Sequence, residues 1–270
     1  MRLVFIGAGV MGEAMIASLL QNRIAKHADI WACDVDPLRL TYIREKYSVN
    51  CTVDFQGVVG NGDIIILSVK PQTLAQVLEG LKGKVKKEQL ILSIAAGIKI
   101  EVIRDQLTHD RIIRVMPNTP AQVGQGMSVW TATAEVDEEQ KNNVRNVLQT
   151  MGKEIYITNE KHIDMATAIS GSGPAYIFLI MESLIDAAVH IGLPQEMAEE
   201  LTVQTVFGAA SIARDTGKHP AELKNDVTSP GGTTAEGLLC LEQGGLRGII
   251  AEAVVAAYEK ALRLGNGKSK

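Results

Sequence analysis

Leu3-Val4-Phe5-Ile6-Gly7-Ala8-Gly9-Val10-Met11-Gly12 opens the chain, and Glu13-Ala14-Met15-Ile16-Ala17-Ser18-Leu19-Leu20 follows directly. The first four residues form a short, wholly apolar run of the kind a buried parallel strand requires. The last eight carry apolar residues at helical spacing. Between them stands G-x-G-x-x-G in its strand, turn and helix setting. Gly7 makes the turn, Gly9 lets a backbone approach a pyrophosphate, and Gly12 lets the helix pack closely. These residues predict the start of a dinucleotide-binding Rossmann layer. A glycine turn that holds no ligand is the alternative reading. The next apolar run, Ile30-Trp31-Ala32-Cys33, ends at Asp34, about 20 residues after the last glycine, where an acid would bind the adenine ribose diol.

Outward from this unit, strand-like runs alternate with helical ones up to residue 158. They are Ile64–Leu67, Leu90–Leu92, Arg111–Val115, Met127–Trp130 and Glu154–Ile157. Alternation of this kind predicts an α/β fold, a doubly wound and mostly parallel sheet with helices on both faces. From Ile163 to Leu264 the pattern is helical, rich in Ala and Leu and without a convincing strand. Residues 1–158 are therefore expected to form the dinucleotide-binding domain and residues 159–270 an all-helical domain. A helix break is expected at Ser170-Gly171-Ser172-Gly173-Pro174, with Pro174 first in the new helix. An Ala-rich helical domain with a broad apolar face predicts a homodimer. The polar tail Gly265–Lys270 is expected to be unstructured.

Composition narrows the function. The chain has 270 residues and a formal net charge of −4, with no basic stripe, which argues against nucleic acid or an anionic membrane surface as partner. The three cysteines, Cys33, Cys51 and Cys240, form no C-x-x-C, and the five histidines are scattered. Neither a disulfide framework nor a metal site is expected, and nothing local ties together a Ser-His-Asp or Cys-His constellation. The first strand begins at once, leaving no room for a signal peptide. The most apolar stretch, Ala175–Met181, meets Glu182 and Asp186 too soon for a membrane span. A cytoplasmic enzyme acting on a small molecule fits these features.

Three further stretches sit where a cofactor site needs them. Ser68-Val69-Lys70-Pro71 closes the strand Ile64–Leu67, and ligands of doubly wound sheets bind beyond the carboxyl ends of strands. Lys70 is there to face a phosphate or ribose, with a solvated lysine as the plainer reading. Ala95-Ala96-Gly97 ends the next strand with residues too small to obstruct a nucleotide. In Met116-Pro117-Asn118-Thr119-Pro120 two prolines fix a loop from which Asn118 can reach the nicotinamide end.

Asp226–Leu238, DVTSPGGTTAEGL, carries the substrate signal. Ser229-Pro230-Gly231-Gly232 is a turn in which Pro presets one φ and two glycines let the backbone pass close to a ligand. Thr233 and Glu236 stand in capping-box relation ahead of a helix, so its first N–H groups point back at the turn as a cradle for a small carboxylate. With Thr233 as the cap, Thr234 keeps a free hydroxyl. A surface turn with an ordinary cap is the plainer alternative.

Taken in order and at these separations, GAGVMG, SVKP, AAG, MPNTP, SGSGPAY and DVTSPGGTTAEGL resemble the pyrroline-5-carboxylate reductase family, from Met1 to about Leu264. The resemblance implies that NAD(P)H reduces the cyclic imine to L-proline, at sites built across a helical dimer that can assemble further into rings. It implies that Thr234 hydrogen-bonds the ring nitrogen, and that Ser229 with the backbone of Gly231, Gly232 and Thr233 holds the carboxylate. Glu160 is implied near the substrate pocket. The cofactor would touch Ile6, Gly7, Ala8, Gly9, Val10 and Met11, then Ser68, Val69, Lys70 and Pro71, then Ala95, Ala96 and Gly97.

One departure bears on the cofactor. Many members carry Ser, Asn, Arg or Thr at the end of the second strand, where this chain has Asp34. A carboxylate repels a 2′-phosphate, so NADH is expected to serve at least as well as NADPH, with Asp36 sharing the effect. Two rivals remain. A hydroxyacid dehydrogenase of the 6-phosphogluconate type has the same layout, but it relies on a lysine that SGSGPAYIFLIMES lacks. A non-catalytic dinucleotide-binding protein would hold the cofactor without consuming it.

Overall fold

The computed structural model describes residues 1–265, so the polar tail expected to be unstructured lies, beyond Gly265, outside the described residues. The chain divides into two compact units, Met1–Ser172 together with the chain from Ala257 on, and Gly173–Ala256.

The first unit is built on eight strands: β1 Leu3–Ile6, β2 Ile30–Cys33, β3 Asn50–Thr52, β4 Ile64–Leu67, β5 Leu90–Ser93, β6 Ile112–Met116, β7 Gly126–Ala132 and β8 Gly152–Tyr156. They form one sheet in the order β3-β2-β1-β4-β5-β6-β7-β8. Every neighbouring pair is parallel except β6 and β7. The helices between them are α1 Val10–Gln21, α2 Pro37–Tyr47, α3 Phe55–Val58, α4 Pro71–Leu81, α5 Ile100–Leu107 and α6 Glu138–Gln149, and α7 Lys161–Ala166 follows β8. The expected mostly parallel sheet is present, with the order reversing between β1 and β4. That switch point opens a crevice at the carboxyl ends of the strands.

Strand alternation explains the two cores. Leu3 and Phe5 of β1 face one side and pack in a cluster with Met15, Ile16 and Leu19 of α1, Ile43 of α2 and Leu148 of α6. Val4 and Ile6 face the other and join Leu74 and Leu78 of α4 with Ile103 and Leu107 of α5. A strand covered on both faces has no polar side, which is why LVFI and IIIL read as unbroken apolar runs. β3 has no such run. Asn50, Cys51 and Thr52 are half-buried at the sheet edge and pair with β2 alone, so neither periodicity nor hydrophobicity reveals the strand.

The second unit is helical throughout: α8 Gly173–His190, α9 Gln195–Thr216, α10 Pro220–Asp226, α11 Thr233–Gln243 and α12 Leu246–Gly265, the last of which ends beyond the unit. The break expected at Ser170–Pro174 takes another form. A π-helical turn, Thr167–Gly171, links α7 to α8, with Ser172 N donating to Thr167 O at 2.8 Å. The run Lys161–His190 is continuous, and Pro174 is the second residue of α8 rather than the first. Proline has no N–H for the carbonyl four residues back, and the freed oxygen of Ser170 instead accepts from Asn118 Nδ2 at 3.0 Å.

Apolar side chains in this unit are largely uncovered. Phe178 is 61% exposed, Leu179 63% and Phe207 59%, whereas β1 is sealed. By length and composition alone, Lys161–His190 is also apolar enough to cross a membrane. So many large apolar side chains exposed on one helical unit is the composition of an interaction face.

Candidate active site

The glycine loop is shaped by what a side chain would hit. Gly7 has φ +103°, and a Cβ there would lie 2.7 Å from the carbonyl carbon and oxygen of Ser68. At Gly12 a Cβ would lie 2.6 Å from the oxygen of Gly7. At Gly9 nothing stands within 4 Å. Two of the three glycines are thus required by packing, and the third faces open space, as backbone approach to a ligand demands. Gly9 is also the N-cap of α1 and offers no side-chain cap. Among the described residues, no acceptor meets the N–H groups of Val10 and Met11, so the helix start is free to receive an anion.

Next to this loop lies a groove of about 290 Å³ whose polar lining includes Asp34, Ser68 and Lys70. Val35, Val53 and Phe55 give it an apolar wall. Sequence reasoning missed Val53 and Phe55, because they follow the unrecognised β3. Cys33 also lines the groove. Burial, with Cys51, Asp54 and Asp34 nearby, pushes its thiol up to about 12, so it is a neutral wall residue and no nucleophile.

Asp34 is held on both sides. Its Oδ2 accepts from Ala8 N at 2.8 Å and its Oδ1 from Asp36 N at 3.1 Å. Asp36 is committed to capping α2, accepting from Leu38 N at 2.9 Å. Ser68 hydroxyl donates to Gly7 O at 2.6 Å and braces the glycine turn from β4. Lys70 caps α4 without a side-chain bond and is exposed. It makes no ion pair among the described residues. Gly97 has φ +75° in the turn after β5, a left-handed position suited to glycine. Pro71, Ala95 and Ala96 flank these backbones without offering a polar side chain.

Asn118 and Glu160 are both engaged within the protein. Asn118 ties the loop after β6 to Ser170 through Nδ2, and its Oδ1 accepts from Met127 N at 2.8 Å. Glu160 Oε1 accepts from Ile100 N at 2.9 Å and from Arg114 Nη1 at 2.8 Å. Arg114 is 1% exposed and also donates through Nη2 to Asp164 at 2.6 Å. Sequence reasoning missed this arginine, although a cation inside the apolar run of β6 is itself a signal. A buried guanidinium needs such partners, since an unpaired buried charge is costly.

In the second unit the SPGGTT turn differs from expectation in one detail. Gly232, not Thr233, is the N-cap of α11, and no side chain caps the helix. Gly232 O accepts from Ala235 N at 3.0 Å and Glu236 N at 3.3 Å, while Gly232 N donates to Ser229 O at 3.0 Å. The capping box does not form, because the extended Gly232 (φ −82°, ψ 166°) already serves as the half-in residue. Thr233 and Thr234 are therefore the first two helical residues, and their N–H groups have no acceptor among the described residues. Neither threonine hydroxyl, nor that of Ser229, is bonded among the described residues. Gly231 has φ +66°. The outcome is a wider cradle than the capping box would leave: two open amides and three open hydroxyls along six residues. No cluster of metal-ligating side chains occurs among the described residues.

Comparison with known proteins decides the family. Residues 160–264 match the model described as pyrroline-5-carboxylate reductase dimerisation, and residues 2–97 match NADP oxidoreductase coenzyme F420-dependent. The chain is 42% identical over 260 residues to the pyrroline-5-carboxylate reductase of Pisum sativum, covering 96% of this chain and 94% of that protein. This chain belongs to the pyrroline-5-carboxylate reductase family. The family enzyme of Synechocystis is 39% identical, with 98% of each chain covered. Among solved structures, the NADP-bound pyrroline carboxylate reductase of Plasmodium falciparum superposes with a TM-score of 0.90 at 32% identity, covering 98% of each chain. The pyrroline-5-carboxylate reductase of Coxiella burnetii gives 0.88 at 38%, over 97% of this chain and 98% of that one. Prephenate dehydrogenase of Aquifex aeolicus, at 14% identity and 0.54 over 84% of this chain and 96% of that one, shares the fold alone. The glycine loop falls in the matched segment 2–97 and the SPGGTT turn in the segment 160–264 that matches pyrroline-5-carboxylate reductase dimerisation.

Proposed function

We propose that this chain reduces 1-pyrroline-5-carboxylate to L-proline with NAD(P)H, the last step of proline biosynthesis. The observation that carries the reading is the collinear, nearly full-length match to family members, which takes in both the glycine loop and the SPGGTT turn. Residues 1–158 serve as the dinucleotide-binding domain and residues 159–270 as the dimerisation and substrate domain.

The reaction asks the protein for position more than for acid. A protonated imine is already electrophilic, and the reduced nicotinamide, when bound, supplies the hydride. The open amides and hydroxyls between Ser229 and Thr234 anchor the substrate carboxylate, with Gly231 and Gly232 letting the backbone approach. Thr234 orients the ring nitrogen, and fixing one ring face toward the donor is the main source of rate. Glu160 borders the substrate pocket through the carboxylate that Arg114 holds. The cofactor runs from the loop Ile6–Gly12 past Asp34 to Ser68–Pro71 and Ala95–Gly97. Asn118 fixes the loop at the nicotinamide end.

NADH serves at least as well as NADPH. The support is Asp34, whose carboxylate repels a 2′-phosphate and suits a ribose diol; NADP is the nucleotide bound in the Plasmodium relative. The protein works as a homodimer, with the exposed apolar residues of α8 and α9 covered by a second copy. That assembly accounts for the apolar Lys161–His190 helix without a membrane, and the reading places the enzyme in the cytoplasm.

Nicotinamide absorbance with racemic 1-pyrroline-5-carboxylate and each reduced cofactor tests the reading. Oxidation dependent on the imine is expected, with NADH equal to or better than NADPH. Binding of cofactor without oxidation would favour the non-catalytic alternative, and a tenfold or greater advantage for NADPH would remove the cofactor assignment.

A further inference from the structure

Ala8 is gripped from both ends of its residue. Its N–H donates to Asp34 Oδ2 at 2.8 Å, and its carbonyl accepts from Arg39 Nε at 2.6 Å. Arg39 stands on α2, five positions after Asp34, and its Nη2 also reaches Gly9 O at 3.4 Å. The same guanidinium is ion-paired with Glu13 of α1 and lies over the ring of Tyr42, 5.1 Å from its centroid. Glu13 gathers further donors: Lys46 Nζ at 3.0 Å, Tyr47 hydroxyl at 2.8 Å and Tyr42 hydroxyl at 3.1 Å. Its side chain is only 17% exposed.

An arginine near the end of the second strand is the usual means by which such a fold accepts a 2′-phosphate. Here three cations stand on α2, and one acid on the neighbouring helix engages two of them, Arg39 and Lys46, while Arg44 donates to Cys51 O. We propose that Glu13 is a cofactor-selectivity residue, holding Arg39 on the glycine loop and Lys46 on α1 so that neither cation serves a 2′-phosphate. The inference rests on the proposed use of NADH, and it gives that choice two parts. Asp34 repels the phosphate, and Glu13 withholds the charges that would offset the repulsion. A freed guanidinium contact to phosphate is charge-assisted and bidentate in favourable geometry, enough to shift relative affinity about tenfold.

The test is direct binding, read by the fluorescence of each reduced nucleotide on titration, so it does not depend on which substrate the enzyme turns over. Glu13→Gln is expected to shift the ratio of Kd values about tenfold toward NADPH, and Glu13→Asp, which keeps the charge, to shift it less than twofold. The double variant Glu13→Gln with Arg39→Met is expected to lose most of the gain. A ratio unchanged in Glu13→Gln, or moved equally in Glu13→Asp, overturns the proposal. Arg39→Gln in the otherwise native protein is an independent check, expected to leave the ratio within twofold. If it weakens NADPH tenfold more than NADH, Arg39 already serves the phosphate and the proposal fails. Failure of turnover with an intact binding shift would instead count against the reductase reading alone.

Discussion

Asp34 at the end of β2 accepts a hydrogen bond from the backbone N–H of Ala8 at 2.8 Å, tying the ribose-side acid to the glycine loop. Asp34→Asn keeps an acceptor for Ala8 and removes the charge. We expect kcat/KM with NADPH to rise about tenfold relative to NADH, since one like-charge contact is removed. A ratio that stays within twofold would show that the carboxylate does not set the choice.

Gly9 and Gly12 separate binding from stability. Gly9→Ala adds a methyl into open space, so the melting temperature should hold within about 2 °C, the scale of an ordinary surface change, while NADH affinity falls at least about tenfold. Gly12→Ala drives a Cβ toward Gly7 O and should lower both. Thermal melts paired with NADH titration distinguish the two outcomes. Equal melting losses in both variants would contradict the geometry.

Thr234 carries an unbonded hydroxyl at the start of α11. Thr234→Ala should lose roughly ten- to a thousandfold in kcat, the range of one orienting or proton-transfer group, with the Kd of NADH unchanged. Steady-state rates at saturating imine would decide it, and an undiminished kcat removes Thr234 from the mechanism.

Arg114 joins Glu160 and Asp164 beneath the loops. Arg114→Met strands the carboxylate of Asp164, which is 4% exposed, and should cost about 3–5 kcal/mol in stability. Denaturant unfolding measures this directly. A loss below about 1 kcal/mol would mean that the buried pair is readily replaced.

Glu13 gives an acid limb to stability. Burial would raise its pKa, but hydrogen bonds from Lys46, Arg39 and Tyr47 outweigh burial and hold it at about 2, below the ordinary 4.5. A depressed carboxylate stabilises the fold above its unfolded pKa, and that contribution is lost as pH falls from about 4.5 toward the folded value. Between those limits Glu13→Gln should flatten the pH dependence of the unfolding free energy. An identical acid limb in the variant would show that the cluster contributes nothing to it.

Several parts of the site are legible in the sequence itself. β1, the glycine loop and α1 are contiguous, and each glycine's task depends on neighbours close in the chain. Asp34 stands out because it follows a strand at a regular distance from the loop. The SPGGTT turn was legible for the same reason, though its cap was not. Thr233 matches a capping pattern, but Gly232 lies extended and its carbonyl takes the first helical donors. Asn118 was legible as a loop residue, but its amide meets Ser170, whose carbonyl is freed by Pro174.

The sequence alone determined the doubly wound layer, the helical second half and the two glycine-rich turns, because periodicity and φ freedom act over a few residues. Only tertiary structure decided that Asn50–Thr52 is a strand, that Arg114 finds Asp164 fifty positions away, and that Arg39 is held by Glu13 rather than left open. Those choices arise where segments distant in the chain must satisfy each other's charges and backbone donors, and no local pattern records which partner will be within reach.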